Sequence, residues 1–363
     1  MRTQPLGPGG PAVTAVGLGD VRLALAAARG IDAREVDSAL RAGIEAGITI
    51  IEVSEEADAR ALVGAAMREL RARDSVVVAT PLISQSPGLP PDLVALVQAA
   101  LRATRLDALP LALLPLRAAW ASERGWPDFV ASCARLVRGG DVMRWGWLLD
   151  AYEIAPPPPS LDALAAAAIA RPSGSGLIVS LSDFVGAPAP SADPVDAYAS
   201  ILGEGWLSAI ALPWNLCDRS CEPLRAAARA ANLAVLARRP LAGGALAGAL
   251  GPGVHLAPRD DRADADLDRF AVAAAKLAAL TTYDPPAAGS APAARAALAQ
   301  GKSPLAERTT IGSLALRFAI DTAGIALPRL HRAAHLPEAL AAAAAPPLAA
   351  DLAAALDAIS RDI

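Results

Sequence analysis

Apolar positions along the chain fall into two alternating kinds of segment. Short, near-continuous apolar runs stand at Val13–Leu18, Gly47–Val53 (GITIIEV), Ser75–Thr80 (SVVVAT) and Leu109–Leu116. Each has the length and β-branched or leucine content of a strand buried on both faces. Between them Ala33–Ala46, Ala57–Ala72 and Asp92–Thr104 carry apolar residues at helical spacing. The alternation continues with a helix around Asp128–Val137 and a strand within Val142–Leu148, then strands at Leu177–Leu181, Leu207–Leu212 and Leu233–Ala237. Such alternation implies a parallel sheet of the α/β class covered by helices, and a count of about eight strands favours a closed (β/α)8 (TIM) barrel over an open sheet. No glycine-rich dinucleotide fingerprint follows the first strand, which argues against a Rossmann domain.

Proline and charge mark where the pattern breaks. Ala155–Ser160 holds four consecutive prolines and is extended; Pro188, Pro190 and Pro194 punctuate a second loop. Asp260–Asp268 is rich in Asp and Arg, and Pro285–Pro304 in Ala, Gly and Pro. These segments read as loops grown on a barrel. The expected organisation is a flexible N-terminal tail over 1–11 and a single barrel over 12–363, with insertions near 150–195 and 255–305.

Composition narrows the function classes. Mean hydropathy is +0.36, yet apolar stretches such as Leu161–Ala170 are short and the alanine-rich C-terminal part is broken by Pro346, Pro347 and Asp351. A spanning helix needs about 20 apolar residues, so the expectation is a soluble protein without a membrane partner. Met1–Pro11 lacks the charged and apolar regions of a signal peptide, and an odd number of cysteines (Cys133, Cys217, Cys221) favours reduced thiols in a cytoplasm. The net charge is −4 with no long basic run, which argues against nucleic acid. Of 33 basic residues only Lys276 and Lys302 are lysines, a bias of GC-rich bacterial genomes. Cys217 with Cys221, and His331 with His335, have metal-pair spacing but lack further ligands, so no metal is expected.

Five segments, in order, carry a family resemblance. They are Gly17-Leu18-Gly19-Asp20; Gly47–Glu52 followed by Leu62–Ala66; Leu212–Arg219 (LPWNLCDR); Leu233–Gly248 (LAVLARRPLAGGALAG); and Ile311–Phe318 (IGSLALRF). Together they resemble the aldo-keto reductases. The resemblance implies an aldo-keto-reductase-like barrel in which Ile311–Phe318 leads into the last strand. Strand five stays open between 142–149 (VMRWGWLL) and 177–183 (LIVSLSD), one of the two being an insertion.

The family reduces carbonyls with NADPH through four side chains at the C-terminal mouth. An aspartate and a lysine tune a proton-donating tyrosine, and a histidine orients the carbonyl. The resemblance puts Glu52 at the aspartate position, Glu56 or Ala57 at the tyrosine, Pro81 at the lysine, and Leu114 or Pro115 near the histidine. The losses do not depend on alignment, because the first tyrosine is Tyr152, the first lysine Lys276 and the first histidine His255. The chain therefore reads as a barrel that has lost the family's chemistry, with Glu52 as the one candidate acid.

Cofactor determinants read as eroded. Trp214 takes the place of a nicotinamide-stacking tyrosine, Arg239 that of a serine, and Leu241, Gly243 and Gly244 lie in a glycine turn able to contact phosphate. No cofactor is expected, with NADP the alternative. The expected pocket comprises Asp20, Glu52, Trp147, Trp214 and Asn215, open to a small molecule, peptide or protein partner. For Glu52 the competing reading is a structural carboxylate paired with an arginine such as Arg117 or Arg144. If no arginine neutralises Asp20, Glu52 and Glu56, half of the mouth is acidic and favours an amine-bearing ligand.

Overall fold

The computed structural model describes residues 1–84, 86, 88–117, 120, 123–149, 202, 205–248, 250, 267–281 and 310–361. The barrel strands are β3 (Leu18–Val21), β4 (Ile50–Val53), β5 (Val77–Pro81), β6 (Leu111–Pro115), β7 (Trp145–Leu148), β8 (Leu207–Pro213), β9 (Ala234–Arg238) and β10 (Gly324–Leu327). They form one eight-stranded sheet in chain order, every neighbour parallel. The sheet closes where Val16 bridges Ala326, with Gly17 N–H donating to the Ala326 carbonyl and Ala326 N–H to the Ala15 carbonyl, both at 2.9 Å. The result is a (β/α)8 barrel.

Closure depends on glycine. A Cβ on Gly19 would lie 2.1 Å from the Leu327 carbonyl oxygen, so only glycine lets β3 approach β10. Helices cover the outside, beginning with α1 (Leu23–Ala28), α2 (Ala33–Glu45), α3 (Ala57–Glu69), α4 (Leu93–Thr104) and α5 (Trp126–Gly139). They continue with α6 (Glu222–Ala230), α7 (Leu267–Thr281), α8 (Ile311–Ala323), α9 (Leu336–Ala344) and α10 (Ala350–Arg361). Local sequence explains several boundaries. Asp32 caps α2 by accepting from Arg34 N–H at 2.7 Å, while Glu35 reaches back to Asp32 N–H, a capping box. Gly64 brings α3 against α4: a Cβ there would fall 1.7 Å from the Thr104 carbonyl oxygen. Among the described residues no helix is long and apolar enough to cross a membrane.

Two sequence expectations change and two open points are settled. Residues 1–11 are not a flexible tail: β1 (Thr3–Pro5) pairs antiparallel with β2 (Ala12–Thr14), and Leu6 and Val13 are buried in the barrel's lower lumen. The first barrel strand is therefore Leu18–Val21, because Ala12–Thr14 is already used by the hairpin. Strand five is Trp145–Leu148, hydrogen-bonded between β6 and β8; 177–183 lies outside the described residues. The last strand, Gly324–Leu327, was not located from the sequence. It follows α8 with no intervening loop, the chain reversing at Gly324 with φ 111°.

The lumen and the outer shell have separate cores. Inside, Leu6 and Val13 lie below Ile50, Leu111, Leu236 and Leu327, with small residues such as Ala79, Ala209 and Ala211 between them. Large and small side chains thus alternate around the lumen.

Candidate active site

Strand periodicity places the first site residue. Ile50 points into the lumen, so Glu52, two residues on, points inward one layer higher, at the mouth. By the same parity Leu236 places Arg238 inward from β9. The two meet: Arg238 Nε lies 2.7 Å from Glu52 Oε1, with side chains 5% and 1% exposed. Two strands, β3 and β10, separate β4 from β9, so this ion pair crosses the lumen and floors the mouth.

Asp20 is set by a backbone irregularity. Leu18 pairs with Ile51 and Val21 with Val53, so β3 carries one extra residue against β4. This bulge takes Asp20 to φ 43°, a left-handed conformation that aspartate tolerates better than most residues. Its buried carboxylate bonds Arg329, just past β10, and Arg22 Nε at 3.2 Å. Burial acts to raise the Asp20 pKa, but the guanidiniums of Arg329, Arg238, Arg22 and Arg239 outweigh it and hold the carboxyl well below its usual range.

The rim carries further charge. Arg22 grips Glu55 with two parallel bonds of 3.1 and 3.0 Å. Glu56 accepts from the N–H groups of Leu23 and Ala24 at 2.8 and 3.2 Å, at the start of α1. Arg60 is mostly buried and donates to the carbonyls of Pro81 (2.6 Å) and Ser54 (3.3 Å); burial pushes its pKa down. The acidic half-mouth expected from the sequence is thus corrected. Asp20 and Glu52 each face an arginine, Glu56 is taken up by backbone N–H groups, and the described partner of Glu52 is Arg238. Arg144 lies at the opposite end of the barrel, donating to the Gly9 carbonyl at 3.0 Å.

The other expected pocket residues separate from the mouth. Trp147 points outward from β7, fully buried among Trp120, Trp126 and Trp206. Trp214 is also fully buried: its ring stacks on Phe318, Arg219 and Arg225 lie over it at 5.5 and 4.8 Å, and its indole N–H donates to Thr322 Oγ1 at 2.8 Å. Neither indole offers a face to a ligand. Asn215 organises a turn, accepting from Cys217 N–H (2.8 Å) and Asp218 N–H (2.9 Å) and donating to the Arg239 carbonyl (3.2 Å). His331 is buried rather than facing solvent, and among the described residues no group of three His, Cys, Asp or Glu could hold a metal.

For a nicotinamide dinucleotide the fit is divided. Leu241, Gly243 and Gly244 form a turn with φ 70° and 102° at the glycines, and Arg239 precedes it at φ 52°. That end suits a phosphate. The ring end does not, because Trp214 cannot stack on it. Arg22, Arg238 and Arg329 were missed from sequence. The Ala-Arg-Arg-Pro strand end was a visible signal for Arg238, but its inward parity was not.

Chemically the described part of the site pairs buried carboxylates with guanidiniums. Pro81 ends β5 next to Glu52's strand, and Arg238 supplies the counter-charge to Glu52 from β9. A guanidinium stays protonated near neutrality and so cannot exchange a proton as a tuned lysine does.

No family model matches the chain, and no curated protein does. Solved structures do. An aldo/keto reductase from Klebsiella pneumoniae in complex with NADP and acetate matches with TM-score 0.58 and 21% identity, over 99% of this chain and 96% of that one. An aldo-keto reductase from Bacillus halodurans, in its holo form, matches with TM-score 0.61 and 15% identity over the same shares. The chain therefore has the fold of the aldo-keto reductases.

Proposed function

We propose that this barrel binds a small molecule, peptide or protein partner at its mouth and does not perform carbonyl reduction, as a repurposed bacterial accessory protein of the cytoplasm would. The observation that carries this reading is the Glu52–Arg238 pair, which ties the candidate acid to a buried guanidinium across the lumen. No tyrosine, lysine or histidine in the first half replaces the lost donor. The test is turnover of generic aldehydes with NADPH by purified protein, expected to match the no-enzyme background. Clear turnover that vanishes in Glu52→Gln would make that carboxylate the acid and overturn the reading.

A second reading, a divergent NAD(P)-dependent oxidoreductase, is favoured by one observation: the phosphate-compatible turn over Leu241–Gly244 beside Arg239. The Klebsiella structure in complex with NADP adds support by likeness of fold. Fluorescence titration with NADPH and NADH separates the two, tight saturable binding supporting the second.

A further inference from the structure

The barrel's N-terminal face, opposite the mouth, holds a cavity of about 530 Å³, within the size range of small-molecule sites. Its walls come from the β1–β2 hairpin, the end of α6 and the starts of β9 and β10. Three polar side chains line it: Gln4, Arg229 and Asn232. Gln4 pairs with Val13, which is buried in the lumen, and opposite residues of a hairpin share a face. Its side chain therefore turns toward the barrel, with Cγ 3.9 Å from where a Cβ on Gly324 would stand. Arg229 lies in the last turn of α6, and Asn232, at φ 59°, turns the chain into β9.

Among the described residues, none of these three side chains has a hydrogen bond or ion pair, and no Asp or Glu lines the cavity. The ionic groups next to it are answered within the protein. Arg225, one turn before Arg229, grips Glu222, and Asp321, just before Gly324, takes Arg2 at 2.6 Å. The cavity thus keeps one guanidinium without a carboxylate.

We propose that this cavity is a second ligand site, independent of the mouth. It takes a small organic acid whose carboxylate lies on Arg229 and whose apolar body rests among Pro5, Pro8 and Ile325. A guanidinium offers two parallel N–H groups that match a carboxylate, and the carboxamides of Gln4 and Asn232 supply further donors. One guanidinium with two neutral amides suits a single negative charge, and so a carboxylate over a doubly charged phosphate. The hairpin wall is already in place. Gly7, at φ 72°, brings it so close to β8 that a Cβ there would fall 2.1 Å from the Ser208 carbonyl oxygen. A preformed wall lowers the ordering cost of binding.

The test is isothermal calorimetry on the full chain at low ionic strength, with three probes of similar shape: benzoate, benzamide and benzylamine. Benzoate should bind, benzamide ~tenfold more weakly for want of the charge, and benzylamine not at all. Arg229→Gln should weaken benzoate ~tenfold, and Arg229→Lys should recover only part, restoring charge without the fork. Gln4→Ala should weaken it severalfold. Arg22→Ala, at the opposite end of the barrel, should leave it unchanged. Thermal melts confirm that these variants fold. No benzoate binding, equal binding of benzamide, preference for benzylamine, or unchanged affinity in Arg229→Gln would each overturn the proposal. So would binding lost in Arg22→Ala, which would move the acid to the mouth.

Discussion

The two ends of this barrel are closed by different physics. At the lower end a hairpin pushes Leu6 and Val13 into the lumen beneath Ile50, Leu111 and Leu236, an apolar plug. At the mouth the lumen is spanned by Glu52 and Arg238, with Asp20 and Arg329 beside them. Apolar residues would fill the upper layer as well or better, since buried ion pairs gain little net stability over hydrophobic groups of similar volume. The lower end is built for stability. The mouth keeps charge where stability does not require it.

The largest effect expected from this contrast is at the cross-lumen pair. Glu52→Ala leaves Arg238 buried without its carboxylate and should cost about 3–5 kcal/mol in urea denaturation. The double variant Glu52→Leu with Arg238→Met should recover most of that loss. If the double variant is as unstable as the sum of its single changes, the two residues are not coupled and the mouth is not floored by this pair. At the other end Leu6→Ala should cost about 2–5 kcal/mol, as buried leucine truncations do. Here no charge partner can rescue it. A cost near zero would show that the hairpin does not plug the barrel.

A smaller effect is the pH dependence. The folded Asp20 carboxyl titrates below its unfolded value of about 3.9, so the unfolded chain binds the proton more readily. Its contribution is complete above about pH 4 and falls away as pH drops toward the folded value. Asp20→Asn should therefore flatten the acid limb of stability below pH 4 while leaving the neutral-pH dependence unchanged; an identical acid limb would remove Asp20 from the arginine network. The smallest effect is chemical. Burial pushes the Cys133 and Cys221 thiols up to about 12, so both should resist iodoacetamide at pH 8 and react only on unfolding. Rapid native-state labelling of either would show that the outer shell opens readily.

Much of the barrel was legible before any coordinates. Val77–Pro81, Leu111–Pro115 and Leu207–Pro213 lie within a few residues of apolar runs that stand out in the chain, and α2 begins at its Asp32 capping signal. What failed were the short or fused elements. Thr3–Pro5 has no apolar run of its own and exists because Ala12–Thr14 offers it an edge. Gly324–Leu327 merges with the helix before it. At the candidate site, motif singled out Glu52 and Asp20, which the structure places at the mouth, whereas Trp147 and Trp214 were expected to line a pocket because an aromatic residue in sequence carries no direction.

The sequence by itself determined the parallel strand–helix alternation, the order of the family-like segments, and the absence of tyrosine, lysine and histidine from the first half of the barrel. These are properties of composition and local pattern, and they hold in any register. Only the tertiary structure decided which side of each strand faces the lumen, because a strand buried on both faces has no polar alternation to reveal its parity. That parity turned Trp147 outward into packing and Arg238 inward, onto a carboxylate 186 positions earlier in the chain. Barrel closure then brought Arg329 against Asp20, across a separation that no local pattern encodes.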